Sequence, residues 1–168
     1  MFGFAIDHPN GVIVVDTGVG RGNAFIDAMY PPSVDLKDAL AAAGIESARR
    51  RRGRPGSLLH GFEWASVPAD QLRTVRGDES IADGVRLLVT PGHTRGHQSV
   101  VVEARDEVVV IAAQAVWDIS EFHDEEATGA NVNAADLRDA AVVSIRRLKS
   151  LDPTLACFSH HPDVYRSP

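Results

Sequence analysis

Cysteine is nearly absent: Cys157 is the one thiol in 168 residues. It cannot close an internal disulfide, so a disulfide-stapled secreted scaffold is excluded. Its apolar, strand-like surroundings predict a buried thiol. No run approaches the roughly eighteen consecutive apolar residues of a membrane span. The stretch from Met1 to Gly11 has neither a basic segment nor a long apolar one, so no secretory leader is expected. Gly18, Gly20 and Gly22 are spaced G-x-G-x-G, not G-x-G-x-x-G, and no Gly-Lys-Ser/Thr occurs. A turn fits those glycines better than a nucleotide loop. The G-x-S-x-G elbow of serine hydrolases is missing too. Positive charge is scarce outside one block, since 17 Lys and Arg face 23 Asp and Glu, and 44% of residues are hydrophobic. These values predict one globular domain over residues 1–168, in the cytoplasm, with no nucleic acid and no membrane as partner.

What is present is organised around Val85–Asp118. Three β-branched runs, Val85–Thr90, Gln98–Glu103 and Val108–Ala113, are bounded by turn residues and read as strands. Upstream, Phe2–Ile6 and Gly11–Asp16 flank His8-Pro9-Asn10-Gly11, the composition of a hairpin turn. The unbroken Val12–Val15 run predicts a strand buried on both faces. Asn23–Tyr30 reads as a short helix stopped by Pro31-Pro32. Asp35–Ala43 reads as a helix with Asp35 as N-cap, Leu36, Ala39, Leu40 and Ala43 on one face, and Gly44 as its stop. Arg49–Arg54 is a basic block punctuated by Gly and Pro, which predicts a solvated, mobile loop. Ala69–Asp83 reads as a polar, irregular passage and Ile119–Ala134 as an acidic loop. A long helix is expected from Asn133, its N-cap, to Leu151, burying Leu137, Ala141, Ile145 and Leu148. Leu155–Ser159 reads as the final strand.

The first join of the central stretch reads Thr90-Pro91-Gly92-His93-Thr94-Arg95-Gly96-His97. Its Pro and Gly residues predict a loop, so the two histidines are not a helical pair. The motif, followed by a strand, a turn and an apolar strand, resembles the metallo-β-lactamase superfamily, and within it the N-acyl homoserine lactonase-like branch. That resemblance implies that His93 is a metal ligand and that His97 holds the loop. It places a Gly-Asp-Ala, with a metal-bridging Asp, where this chain has Ala113-Gln114-Ala115. Trp117 then stands where an aromatic residue often follows. Phe158-Ser159-His160-His161 fills the place of a Ser-His-Asp, which makes His160 a further implied ligand. Asp16 closes the Val12–Val15 strand and opens Asp16-Thr17-Gly18, which resembles a second-shell element of the family. It reads equally well as a turn cap.

The departures from the family pattern matter as much. The family's H-x-H-x-D-H has no counterpart, because no H-x-H occurs anywhere. The chain passes from Ala42-Ala43-Gly44-Ile45 through the arginine block to His60-Gly61-Phe62-Glu63-Trp64, which resembles a later family segment. An internal deletion near 48–57 is the expectation. The chain also begins where the family already has earlier strands. The fold implied is α/β, more narrowly α+β: a truncated αββα sandwich. The function implied is a metal-dependent hydrolase resembling lactonases, with a small-molecule substrate or ligand. An inactive ligand-binding relative and a degenerate gene product are the alternatives. His93, His160 and a weak Gln114 are the remaining metal candidates, with Asp16 and His97 behind them and Trp117 in the pocket. Parts of the lactonase-like family carry Gln at the position of Gln114, so the missing motif decides more than that residue does. Two neutral imidazoles and an amide leave a cation uncompensated. Zinc or another divalent metal is therefore expected at one ion per chain at most, weakly held, or not at all. Oligomeric state and substrate stay open.

Overall fold

The turn at Pro9-Asn10-Gly11 closes with the Gly11 N–H donating to the His8 carbonyl at 2.8 Å. Gly11 has φ +123°, a backbone setting that favours glycine. The antiparallel hairpin it joins is β1 (Phe4–Ile6) and β2 (Ile13–Val15), in the register Phe4 to Val15 and Ile6 to Ile13. In this computed structural model the described residues are 2–16, 28, 36–45, 70, 73–128 and 135–168. They fall into two compact units, one within Gly3–Thr74 and one within Val75–Pro168 together with Phe2.

In the first unit the expectation of a doubly buried β2 is overturned. Val12 and Val14 are 42% and 37% exposed. Among the described residues this sheet has two strands only, too few to cover both of its own faces. The helix after it forms as expected, as α1 (Leu36–Ala42). Its end is a Schellman turn: the Ile45 N–H donates to the Leu40 carbonyl at 2.9 Å and the Gly44 N–H to Ala41 at 3.0 Å. Gly44 sits at φ +72° to allow it. Asp35 as cap, the Gly18–Gly22 turn, nearly all of Asn23–Tyr30, the arginine block and Leu58–Trp64 lie outside the described residues.

The second unit carries a six-stranded sheet in the order β3-β4-β5-β6-β7-β8. Its strands are β3 (Glu79–Ala82), β4 (Val85–Val89), β5 (Gln98–Ala104), β6 (Glu107–Ala113), β7 (Leu155–Phe158) and β8 (Tyr165–Arg166). Only β6 and β7 pair in parallel, as the intervening helical crossover requires. The three central strands match the β-branched runs read from the sequence. Residues Val110–Ala113 are buried in succession, as in a strand covered on both faces. Two expectations fail at the edges. Part of the polar Ala69–Asp83 passage is β3, an edge strand paired to β4. Leu155–Phe158 is not the last strand, because β8 pairs beyond it. Edge strands leave one side and most of one face in water, so polar residues do not exclude them.

The helices of this unit also differ in detail. Within the expected Ile119–Ala134 loop stands α2 (Ile119–Asp124). Asp118 caps it, accepting from the Ser120 N–H at 2.9 Å and the Glu121 N–H at 3.0 Å. Acidic composition hid a helix whose inward face is only Glu121 and Phe122. The long helix begins later than expected: a 3₁₀ turn (Ala135–Leu137) leads into α3 (Arg138–Lys149). Asn133 lies outside the described residues. Leu137, Ala141, Ile145 and Leu148 are buried as the periodicity predicts. Ala141, Ile145 and Leu148 join Leu88, Val101, Val110, Ala156, Phe122 and Phe158 in one core. Cys157 is half-buried, not fully buried, because β7 alternates its faces. Burial still pushes its thiol above the usual value.

Candidate functional site

The loop between β4 and β5 is closed at its base by the Thr90 N–H, which donates to the His97 carbonyl at 2.9 Å. Inside it, the Gly92 N–H reaches the Thr94 carbonyl at 3.1 Å. Gly92 is required by close packing, since a Cβ there would lie 2.6 Å from the Cβ of Ala141 on α3. Ser144 of the same helix donates its hydroxyl to the Pro91 carbonyl at 2.7 Å. Arg147 donates to the Val89 carbonyl at 2.9 Å and is ion-paired with Asp78. Asp78 also accepts from the Val89 N–H at 2.9 Å. The Arg147 guanidinium and that N–H hold the Asp78 carboxyl below its ordinary value. Arg95 pairs with Asp136. One face of α3 and the turn before it therefore fix the loop at several points.

His93 and His97 meet edge to face, with ring centroids 6.4 Å apart. The His97 Nδ1 lies 2.9 Å from the Thr90 hydroxyl, which lies 2.8 Å from that of Ser99. Ser99 in turn donates to the Ala112 carbonyl at 3.1 Å.

The second group forms at the ends of β6 and β7. Ala113 closes β6 at φ +52°, and the sheet register shifts between Ile111 and Ala113 opposite β7. A left-handed backbone at alanine is uncommon and marks a built turn. The resemblance places glycine at this residue, which meets that φ without strain. Beyond the turn the Gln114 amide lies 3.4 Å from the His160 Nε2. The Trp117 indole stacks on the His160 ring with centroids 3.9 Å apart and planes 9° from parallel. Trp117 is fixed from behind by Glu121, a side chain absent from the sequence-level candidates. Its two carboxylate oxygens accept the Trp117 and Thr128 N–H groups, each at 2.6 Å. Glu121 is 2% exposed. Its one sequence signal is its place in the first turn after an N-cap Asp. Burial of Asp118 opposes its charge, but the Ser120 hydroxyl and the helix N–H groups outweigh that and hold its carboxyl low.

The candidates thus gather as His93 with His97, and Gln114 with Trp117 and His160. Asp16 ends β2 in the first unit at φ +56°. His161 engages Asp163, whose N–H donates to its Nδ1 at 3.2 Å. Among the described residues no three His, Cys, Asp or Glu side chains form a cluster able to hold a metal ion. The donors brought together at the ends of β6 and β7 are an uncharged amide and an imidazole, in a weak contact 3.4 Å long. They do not fit a catalytic zinc, which takes three protein ligands and an open position.

The model of the metallo-beta-lactamase superfamily matches residues 35–160. The chain belongs to that superfamily. Within it the likeness runs to lactonases and other hydrolases. An N-acyl homoserine lactonase of Bacillus cereus is 33% identical over 86 residues, 51% of this chain and 32% of that protein. A probable metallo-hydrolase of Mycobacterium bovis is 26% identical over 154 residues, 82% of this chain and 49% of that protein. The chain spans between about a third and a half of these relatives' lengths. The crystal structure of a quorum-quenching N-acyl homoserine lactone lactonase superposes with a TM-score of 0.65 over 94% of this chain and 78% of that one, at 20% identity. That likeness establishes the metallo-β-lactamase fold and the α+β class. No described helix is long and apolar enough to cross a membrane.

Proposed function

We propose that this metallo-β-lactamase-fold chain is a hydrolase-like protein with a depleted metal site, taking a small lactone or ester as substrate or ligand. The observation that carries the reading is the pairing of His160 with the Gln114 amide, where the resemblance places a metal-bridging carboxylate. The absence of any H-x-H in the sequence agrees with it. With the charged ligand replaced by an amide, His93, Gln114 and His160 would hold one divalent ion at most, and weakly. His97 would act from behind that site. Lactone as the substrate class rests on the named activity of the relatives. The seam of an internal deletion at 48–57 within one domain accounts for the missing motif.

Binding without turnover is the second reading. It is favoured by Trp117, whose indole covers one face of His160. One experiment separates the two: metal content of the purified chain by elemental analysis, beside hydrolysis of an N-acyl homoserine lactone with and without chelator. Less than one ion per chain with no chelator-sensitive hydrolysis supports binding alone. Chelator-sensitive turnover supports the hydrolase. Two tightly held ions per chain would overturn the depleted site.

A further inference from the structure

Three polar contacts run in series from the loop into the sheet: His97 Nδ1 to Thr90 Oγ1, Thr90 Oγ1 to Ser99 Oγ, and Ser99 Oγ to the Ala112 carbonyl. Thr90 and Ser99 are both 0% exposed, so bulk water does not reach the middle of the chain of contacts. Each contact needs one proton between its two heavy atoms. The carbonyl has none to give, and each hydroxyl has one. Two protons cannot fill three contacts. The third must come from the ring.

We infer that Thr90 and Ser99 fix the neutral His97 imidazole as its Nδ1–H tautomer, making His97 a positioning residue with a set polarity. The Nδ1–H donates to Thr90, the Thr90 hydroxyl to Ser99, and the Ser99 hydroxyl to Ala112. In the opposite tautomer two buried acceptor atoms would face each other at one of the three contacts with no proton between them. The sheet register makes the relay possible, because Ser99 is paired across β4 with Leu88 and its neighbour Val100 across β6 with Ile111. The consequence lies on the other edge of the ring. The Nε2 of neutral His97 carries a lone pair, so the group that meets it must be a hydrogen-bond donor or a cation. A carboxylate or a lactone carbonyl oxygen is refused there. This follows from the relay alone and holds whether or not the site takes a metal.

The test is two-bond nitrogen–proton correlation on the full chain labelled in its histidine rings. The pH is set well above the ordinary histidine value of about 6.5, so that the ring is neutral. His97 is expected to show a protonated Nδ1 and an unprotonated Nε2. Ser99→Ala does not touch the ring, yet it frees the Thr90 hydroxyl proton to turn towards Nδ1. It is expected to move His97 towards the Nε2–H form, whereas Thr90→Ser keeps the relay and the wild-type tautomer. A wild-type His97 in the Nε2–H form overturns the inference without recourse to any variant. Identical tautomer populations in wild type and Ser99→Ala overturn it as well.

Discussion

His97 and His160 both stand beside strand ends of one sheet, yet they are held in opposite ways. His97 is tied through two short, buried hydroxyls, Thr90 just past the end of β4 and Ser99 on the adjacent β5. Fully buried hydroxyls have little freedom, so the relay fixes direction as well as distance. His160 is held by a stacked indole and by an amide 3.4 Å away. Stacking constrains the plane of the ring but not its protons, and a contact of that length is weak. The rigidity at the second end comes from one layer further out, where Glu121 ties down the Trp117 backbone. One end of the site is fixed by the sheet itself, the other by a buried carboxylate on a short helix.

That difference is broken most severely at Glu121. Glu121→Ala removes the acceptor of two backbone N–H groups and leaves a hole, so a loss of roughly 3 to 5 kcal/mol is expected from urea unfolding. It should also release Trp117 from His160, seen as a changed indole environment in near-ultraviolet circular dichroism. A loss below about 1 kcal/mol with the stack retained would show that the carboxylate is not its anchor. Gly92→Ala attacks the other end. The added Cβ drives into Ala141, and about 2 to 3 kcal/mol should be lost as α3 and the loop separate. Ala113→Gly sharpens the contrast in the opposite direction. Relief of the left-handed backbone should stabilise the fold by about 0.5 to 1 kcal/mol, with no effect on the His97 relay.

Metal affinity isolates the second end. In a zinc titration by calorimetry, Gln114→Asp should tighten binding on the order of tenfold, about 1.4 kcal/mol, because it supplies the missing negative donor. His93→Ala should weaken whatever binding the wild type shows, and indifference to that change would remove His93 from the site.

The smallest effect is expected at Asp78, which ties Arg147 to the end of β4. Its folded value lies below the ordinary 3.8, so its contribution is present above that pH and fades as pH falls through the lower folded value. Both partners are about two-fifths exposed, at 40% and 44%, which limits the pair to less than about 1 kcal/mol. Asp78→Asn should therefore lower stability by less than about 1 kcal/mol in the neutral range, leave it unchanged well below pH 3.8, and in that way flatten the acid limb.

Much of this was legible in the chain. The β-branched runs at Val85–Thr90, Gln98–Glu103 and Val108–Ala113 carry strand period and turn punctuation together, so local physics alone places β4, β5 and β6. The same holds for the buried face of α3, from Leu137 to Leu148, because helical spacing of apolar residues has one solution. Motif order also carried the family, since Pro-Gly-His-Thr-x-Gly-His and Ser-His stand at recognisable places. The edge strands β3 and β8 escaped because pairing, not apolar pattern, makes them strands. Helix α2 escaped because it is short and turns an acid inward. No local signal marks Glu121 as buried; its partners, the Trp117 and Thr128 N–H groups, are gathered only when the chain folds around the end of β6. The proton direction at His97 is likewise a tertiary property. Thr90 and Ser99 are nine residues apart in the chain, and it takes the pairing of β4, β5 and β6 to line their hydroxyls up between an imidazole and a carbonyl.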